Sequence, residues 1–306
     1  GWFRKPEWDI AGQLYEKAAT AFKAGRSPDN AIRAYQKSGE ALAKFGSVYL
    51  AGNAYEKAGI IAQQSQDKVL AIEMYIQASN LYLAHGSSPD KAAGIVEKAA
   101  QLCEPLDPDR AIELYKQSCS IFESEDRDRM AIETIKNAVG CAIRLGQLPT
   151  AVYFLDKLAA ATRVLIRRSE TDKARLSAIV VTLALDDMVE ARKRLDAWLF
   201  AFTAQALVDA FEHWDGPRLQ EILKNPQHVQ TLQFLLAEVV RLAFKLNVPG
   251  SGTAPAIAEN QRQPPSPATS TGNPAKASGI IEKQPPPPTS QTQPPPSLNE
   301  DDDGLC

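Results

Sequence analysis

Ala71-Ile-Glu-Met-Tyr75-Ile-Gln-Ala78-Ser-Asn-Leu-Tyr82 sets small residues at offsets 0 and 7 and large ones at 4 and 11. Those offsets describe one face of an α-helix. The same frame recurs on both sides. Toward the N-terminus it reads Ala51, Tyr55, Ala58, Ala62, then Ala31, Tyr35, Ser38, Leu42, then Ala11, Tyr15, Ala18, Phe22. Toward the C-terminus it reads Ala92, Val96, Ala99, Cys103, then Ala111, Tyr115, Ser118, Phe122. Ala131, Ile135, Ala138, Ala142 and Ala151, Leu155, Leu158, Thr162 complete it. The period is about 20 residues per helix and about 40 per antiparallel pair, the length of a helical repeat.

The residues between frames agree. Gly25, Gly46, Gly86 and Gly146 fall where helices should stop. Ser27-Pro28-Asp29, Ser88-Pro89-Asp90 and Asp107-Pro108-Asp109 fall where the next should start, because proline is tolerated in the first turn. One helix alone cannot bury its stripe. Stacked pairs can, with the small residues letting neighbours nest. The expected fold is all-α: a tetratricopeptide-like right-handed helical solenoid of antiparallel helix pairs with a C-terminal helical bundle. Eight registered copies disfavour an unrelated set of amphipathic helices.

The frame fades after about Arg168, so residues 1–168 read as solenoid, with a truncated first repeat, and 169–246 as bundle. Helices are expected at Lys173–Leu185, Val189–Phe202, Ala204–His213, Arg218–Leu223 and Val229–Leu246. Asp215-Gly216-Pro217 and Asn225-Pro226 separate them. Large apolar residues, among them Trp198, Phe202, Phe211 and Phe234, suit a bundle that covers the last repeat. Residues 247–299 hold most of the 21 prolines and few aromatics. Such a segment cannot build a core and reads as a disordered spacer, or as a docking site for a proline-binding domain. Residues 300–306, Glu-Asp-Asp-Asp-Gly-Leu-Cys, form an acidic tip.

Composition narrows the function. The 306 residues are 44% hydrophobic and 23% charged, with a net charge of −3. Lysine and arginine mix evenly with acids, so no basic stripe argues for nucleic acid. Cys103, Cys119, Cys141 and Cys306 show no CxxC or zinc-finger spacing. Three of them sit at apolar helix positions and read as reduced core thiols, as in a reducing compartment. The chain begins at Gly1 without methionine, so further residues are expected upstream; no signal peptide is visible in what is given. No apolar run reaches the roughly 20 residues that span a bilayer. Val229–Leu246 comes nearest and is interrupted by Glu238, Arg241 and Lys245.

A search for chemistry finds little. His85, His213 and His228 lack a second ligand at metal spacing. No phosphate-cradling glycine motif and no nucleophile elbow is present. Glu123, Glu125, Asp126 and Asp128 read as a solvated turn. The cluster His213, Trp214, Asp215 reads as a helix end with a capping histidine. Cys306 is at the wrong place for prenylation. No cofactor and no metal are expected. Trp2, Phe3 and Trp8 stand beside Arg4 and Lys5, a pattern that suits an anionic membrane interface or packing on helix ends.

One family matches these residues. Asn80 to Gly86, Pro89 to Ala93, Glu97-Lys98-Ala99, Asp107 to Tyr115 and Phe122-Glu123 resemble the soluble NSF attachment proteins. The gamma type is the most similar: Lys5 to Asp9, Asn225-Pro226 and Val248-Pro249-Gly250 are further matches, and the terminal Gly304-Leu305-Cys306 resembles a terminus distinctive of that type. The resemblance covers nearly the whole chain, with a longer proline-rich linker and without the family's first helix.

The resemblance implies an adaptor for membrane fusion, not an enzyme. Several copies would wrap a syntaxin-type SNARE bundle and recruit and stimulate the ATPase NSF. The protein would be cytoplasmic, peripheral on the cytosolic face of endomembranes. Lys98 and Arg110 lie in the best-matched segment and are the first SNARE-contact candidates; Lys136, Arg144 and Lys157 follow. Exposed contacts of this kind contribute roughly 0.2–1 kcal/mol each, so several must act together. Trp2 and Phe3 match the family's membrane-attachment loop, and Asp301, Asp302, Asp303 and Leu305 its NSF-contacting tail. Two other readings remain. One is a generic tetratricopeptide-like scaffold or chaperone cofactor, although no carboxylate clamp of Asn and Lys is evident. The other is an enzyme with its site in the C-terminal bundle.

Overall fold

The computed structural model describes residues 7–125, 127–198 and 201–250, without the side chain of Asp128. Among them are fourteen α-helices and no strand. The first nine are α1 (Trp8–Ala24), α2 (Pro28–Phe45), α3 (Val48–Gln64), α4 (Lys68–His85), α5 (Pro89–Cys103), α6 (Pro108–Ser124), α7 (Asp128–Arg144), α8 (Leu148–Val164) and α9 (Arg168–Ala184). Five shorter ones follow: α10 (Met188–Asp196), α11 (Phe202–Glu212), α12 (Gly216–Ile222), α13 (Pro226–Gln233) and α14 (Ala237–Ala243). From α1 to α9 each helix packs on the one before and the one after it, as in a tetratricopeptide-like solenoid.

The alanine frame explains that packing. From α2 to α8 its small positions are all buried, and of its large positions only Tyr55 is not fully so. Small side chains let axes approach until an aromatic ring seats against backbone. A Cβ added at Gly39 would stand 2.6 Å from the Tyr55 ring, and one at Gly59 would stand 2.7 Å from that of Tyr75. Ser38 donates to the carbonyl of Gly12 at 2.8 Å and Ser118 to that of Ala93 at 2.9 Å, which also requires close helices. The rings of Tyr75, Tyr82 and Tyr115 are fully buried, and their hydroxyls donate to Gln63, Glu56 and Glu104. A buried phenol needs such a partner.

The turns keep the same period. Left-handed backbone recurs at Arg26, Gly46, Gln66, Gly86, Gly146, Ile166 and Asp186, in steps of twenty residues or multiples of it. Gly46 and Gly86 are helix C-caps, as expected. At the end of α1, Gly25 caps but Arg26 takes the left-handed position. Proline stands in the first turn of α2, α5 and α6. Asp107 accepts the backbone N–H of Arg110, whereas the side chains of Ser27 and Ser88 make no capping bond.

Three expectations are corrected. In α1 the buried residues are Gly12 and Ala19, one position beyond Ala11 and Ala18, and Tyr15 and Phe22 are exposed. Among the described helices α2 is the main neighbour of α1, so its stripe turns toward that helix. The helix expected at Val189–Phe202 ends at Asp196, and α11 starts at Phe202. The helix expected at Val229–Leu246 breaks at residues 234–236, with extended backbone at Leu236. No proline or glycine causes that break. It lets α14 pack on α7 and α9, so tertiary contact overrides helix propensity. α9 is thus covered by α8 and also by α10, α11 and α14, and the core runs on to Val248.

Candidate interaction surfaces

The five cations singled out in sequence divide in two. Lys98 on α5 and Arg110 in the first turn of α6 are exposed and form no ion pair among the described residues. They share no bond with each other. The other three are held by the chain's own carboxylates. Lys136 lies 3.0 Å from Glu133 and 3.8 Å from Glu170. Arg144 bridges Glu104 and Glu238, each at 2.8 Å. Lys157 pairs with Glu123 at 2.5 Å and stands over the Tyr153 ring. Burial opposes the charges of Arg144 and Lys157, yet their carboxylate partners outweigh it and raise both pKa values.

These bonds belong to a larger pattern. Glu16 of α1 meets Lys57 of α3 at 2.6 Å, and Glu56 of α3 meets Lys91 of α5 at 3.0 Å. Glu97 of α5 accepts from Thr134 and Asn137 of α7. Asp109 meets Gln147, and Asp156 of α8 takes a two-point bond from Arg194 of α10. Asp90 pairs with Arg127. Each bond joins an element to its counterpart one helix pair later. Opposite charges about 40 residues apart were the sequence signal, and only the repeat frame gives that spacing meaning. Lys91 also lies over the rings of Tyr82 and Tyr49, at 4.4 and 5.2 Å. Burial pushes the Tyr82 phenol up to about 12, so it stays a donor to Glu56.

The C-terminal end carries the larger concavities. A groove of about 800 Å³ runs between α9, α11 and α13, lined by Lys173, Trp198, Phe202 and Phe234 among others. Beside it lies a cleft of about 450 Å³ bounded by Arg163, Ile166, Arg167, Arg168, Arg175 and Trp198, with Thr171, Asp172 and Ala197. Sequence reasoning missed this cleft. Its signal was an isoleucine at a turn position that elsewhere holds Gly, Arg, Gln or Asp.

Reactive groups are quiet. Cys103, Cys119 and Cys141 are buried and free, as expected, and burial pushes the thiols of Cys119 and Cys141 up to about 12. His213 bonds the carbonyl of Asp209 at the end of α11, the capping geometry expected of it. His228 is buried against Thr203 and stacks on Phe202. Among the described residues no group of three or more His, Cys, Asp or Glu side chains could hold a metal ion, and no helix is long and apolar enough to cross a membrane. Trp2, Phe3, Asp301, Asp302, Asp303 and Leu305 lie outside the described residues, as do Asp126, Cys306 and the proline-rich segment beyond residue 250.

Known proteins are similar to this sequence. The family model "Soluble NSF attachment protein, SNAP" matches residues 3–206. A gamma-soluble NSF attachment protein of Dictyostelium discoideum is 27% identical over 265 residues, covering 83% of this chain and 79% of that protein. Its Arabidopsis thaliana namesake is 30% identical over 249 residues, covering 78% and 84%. An alpha-soluble NSF attachment protein of Vitis vinifera is 26% identical over 153 residues, covering 50% and 52%. Among solved structures, aspartyl phosphate phosphatase F of Bacillus subtilis is similar with a TM-score of 0.37 at 13% identity, over 74% of this chain and 59% of that one. That likeness is too distant to add anything. The family model spans most of the chain, including every helix of the repeat, and the chain belongs to the soluble NSF attachment protein family.

Proposed function

We propose that this chain is a gamma-type adaptor that binds assembled SNARE bundles, recruits NSF to them and stimulates its ATP hydrolysis. The observation that carries the reading is the match to both the family and its gamma members across the whole helical repeat. The protein is then no enzyme itself. It works at the cytosolic face of endomembranes, with Trp2 and Phe3 as a peripheral membrane contact and Asp301, Asp302, Asp303 and Leu305 as the contact for NSF.

Lys98 and Arg110 are the SNARE-contact residues supported best. Both are exposed cations that form no ion pair among the described residues, so their field is available to an acidic partner. Lys136, Arg144 and Lys157 would have to leave their own partners first, and they serve the solenoid itself. The test is binding of an acidic SNARE bundle by the double variant K98E/R110E. Affinity should fall by about tenfold or more and its salt dependence should flatten, since two attractive contacts become repulsive. Unchanged binding would remove these residues from the interface. Deleting residues 300–306 should spare SNARE binding and weaken NSF stimulation; equal loss of both would refute that division of labour.

A further inference from the structure

The turn between α8 and α9 is unlike the other turns of the repeat. Ile166 occupies its left-handed position at φ 55 and is 90% exposed. That conformation crowds a β-branched side chain, and glycine or a polar residue is the usual occupant. Val164, two residues before, is 66% exposed, while Leu165 between them packs against the core and fixes the tip. Arg163, Arg167 and Arg168 flank the tip in sequence and line one cleft with Ile166; all are exposed and none forms an ion pair among the described residues. Two acids close by in sequence pair mainly with other cations. Glu170 is held by Lys173 and Lys136, and Asp172 lies 4.0 Å from Arg175. Behind the tip, the arginine-lined cleft of about 450 Å³ carries the half-buried Trp198 on its wall.

We infer that this turn is a second lipid-contacting site, which inserts Ile166 and Val164 into an anionic bilayer and receives acidic headgroups in the cleft behind. A protein partner would need a pocket shaped for the tip. Hydrocarbon at the membrane interface accepts a protruding apolar side chain without one. Three arginines that form no ion pair among the described residues supply attraction to anionic lipid, and a tryptophan at the apolar–polar boundary suits the headgroup level. Because the helices are antiparallel, the α8–α9 turn lies on the edge of the repeat where α1 begins. There Lys44 stands over the Trp8 ring at 4.6 Å and Phe45 is exposed. The site does not depend on the Trp2–Phe3 contact proposed above.

The test is sedimentation of the whole chain with phosphatidylcholine vesicles, with and without phosphatidylserine, beside a thermal melt. I166G should keep or raise the melting temperature, because glycine accepts the left-handed position, while partition onto phosphatidylserine vesicles falls about tenfold through loss of the buried side chain. R167E/R168E should lower that partition by about tenfold or more and flatten its salt dependence. Both losses should persist in a W2A/F3A background. Partition equal to the parent's in both variants overturns the assignment. So does a W2A/F3A protein that no longer binds vesicles at all. Undiminished vesicle binding by I166G with weakened SNARE binding would make the tip a protein contact instead.

Discussion

Ile166, His228 and the three core thiols show how single positions deviate from the repeat. A non-glycine residue in left-handed backbone costs about 1–2 kcal/mol. Ile166 gains no packing in return, so I166G should raise the unfolding midpoint by a few degrees in a calorimetric scan; a lower midpoint would mean that the side chain supports the fold. His228 behaves oppositely. Burial, with Arg218 nearby, lowers its pKa in the folded state. The unfolded chain therefore binds the proton more readily, and the contribution of the neutral ring is fully present above about pH 6.5 and lost below it. The melting temperature should fall from pH 7 to pH 5, and H228Q should reduce that fall. Cys103, Cys119 and Cys141 should stay silent to a thiol reagent in the native protein and all react once it is unfolded, since burial of the thiols suppresses the thiolate.

At the scale of elements, what matters is whether a helix has two neighbours. The frame Ala31, Tyr35, Ser38, Leu42 was legible because α2 is sandwiched and both faces of its stripe are buried. The identical frame in α1 misleads by one position, because α2 is its main neighbour. The break at residues 234–236 was illegible for another reason. Leu232 and Val239 would continue a helical stripe, and only the docking of α14 on α7 and α9 favours the extended Leu236. The Glu104–Arg144–Glu238 bridge ties that docking to the repeat. R144A leaves two half-buried carboxylates without their cation, so it should destabilise by about 1–3 kcal/mol in denaturant melts. The close approach of α3 and α4 is tested by G59A, whose Cβ would collide with Tyr75. A loss of about 1–3 kcal/mol is expected from such overpacking, and no loss would mean the helices can part without penalty.

On the scale of the molecule, the repeat period, the all-α class and the family were readable from alanine spacing and from the segments between Asn80 and Glu123. The interaction surface was only partly readable. Charge alone could not separate Lys98 and Arg110, which form no ion pair among the described residues, from Lys136, Arg144 and Lys157, each of which reaches a carboxylate lying 34 or more residues away in the sequence. Local patterning reports which face of a helix is buried. It is blind to what the exposed face meets one repeat later. Those bonds between successive repeats fix α1 to α10 as a continuous arm, with α9 covered by α11 and α14 at the C-terminal side. Such an arm suits an adaptor that holds a helical bundle along its length and transmits force to it. The most direct measurement is capture of NSF, with a nonhydrolysable ATP analogue, on an immobilised SNARE bundle with and without this chain, followed by ATP and magnesium. The proposed adaptor role predicts that NSF is retained only when the chain is present and that the bundle then comes apart. NSF retained equally without the chain, or a bundle that binds neither the chain nor NSF, would contradict it.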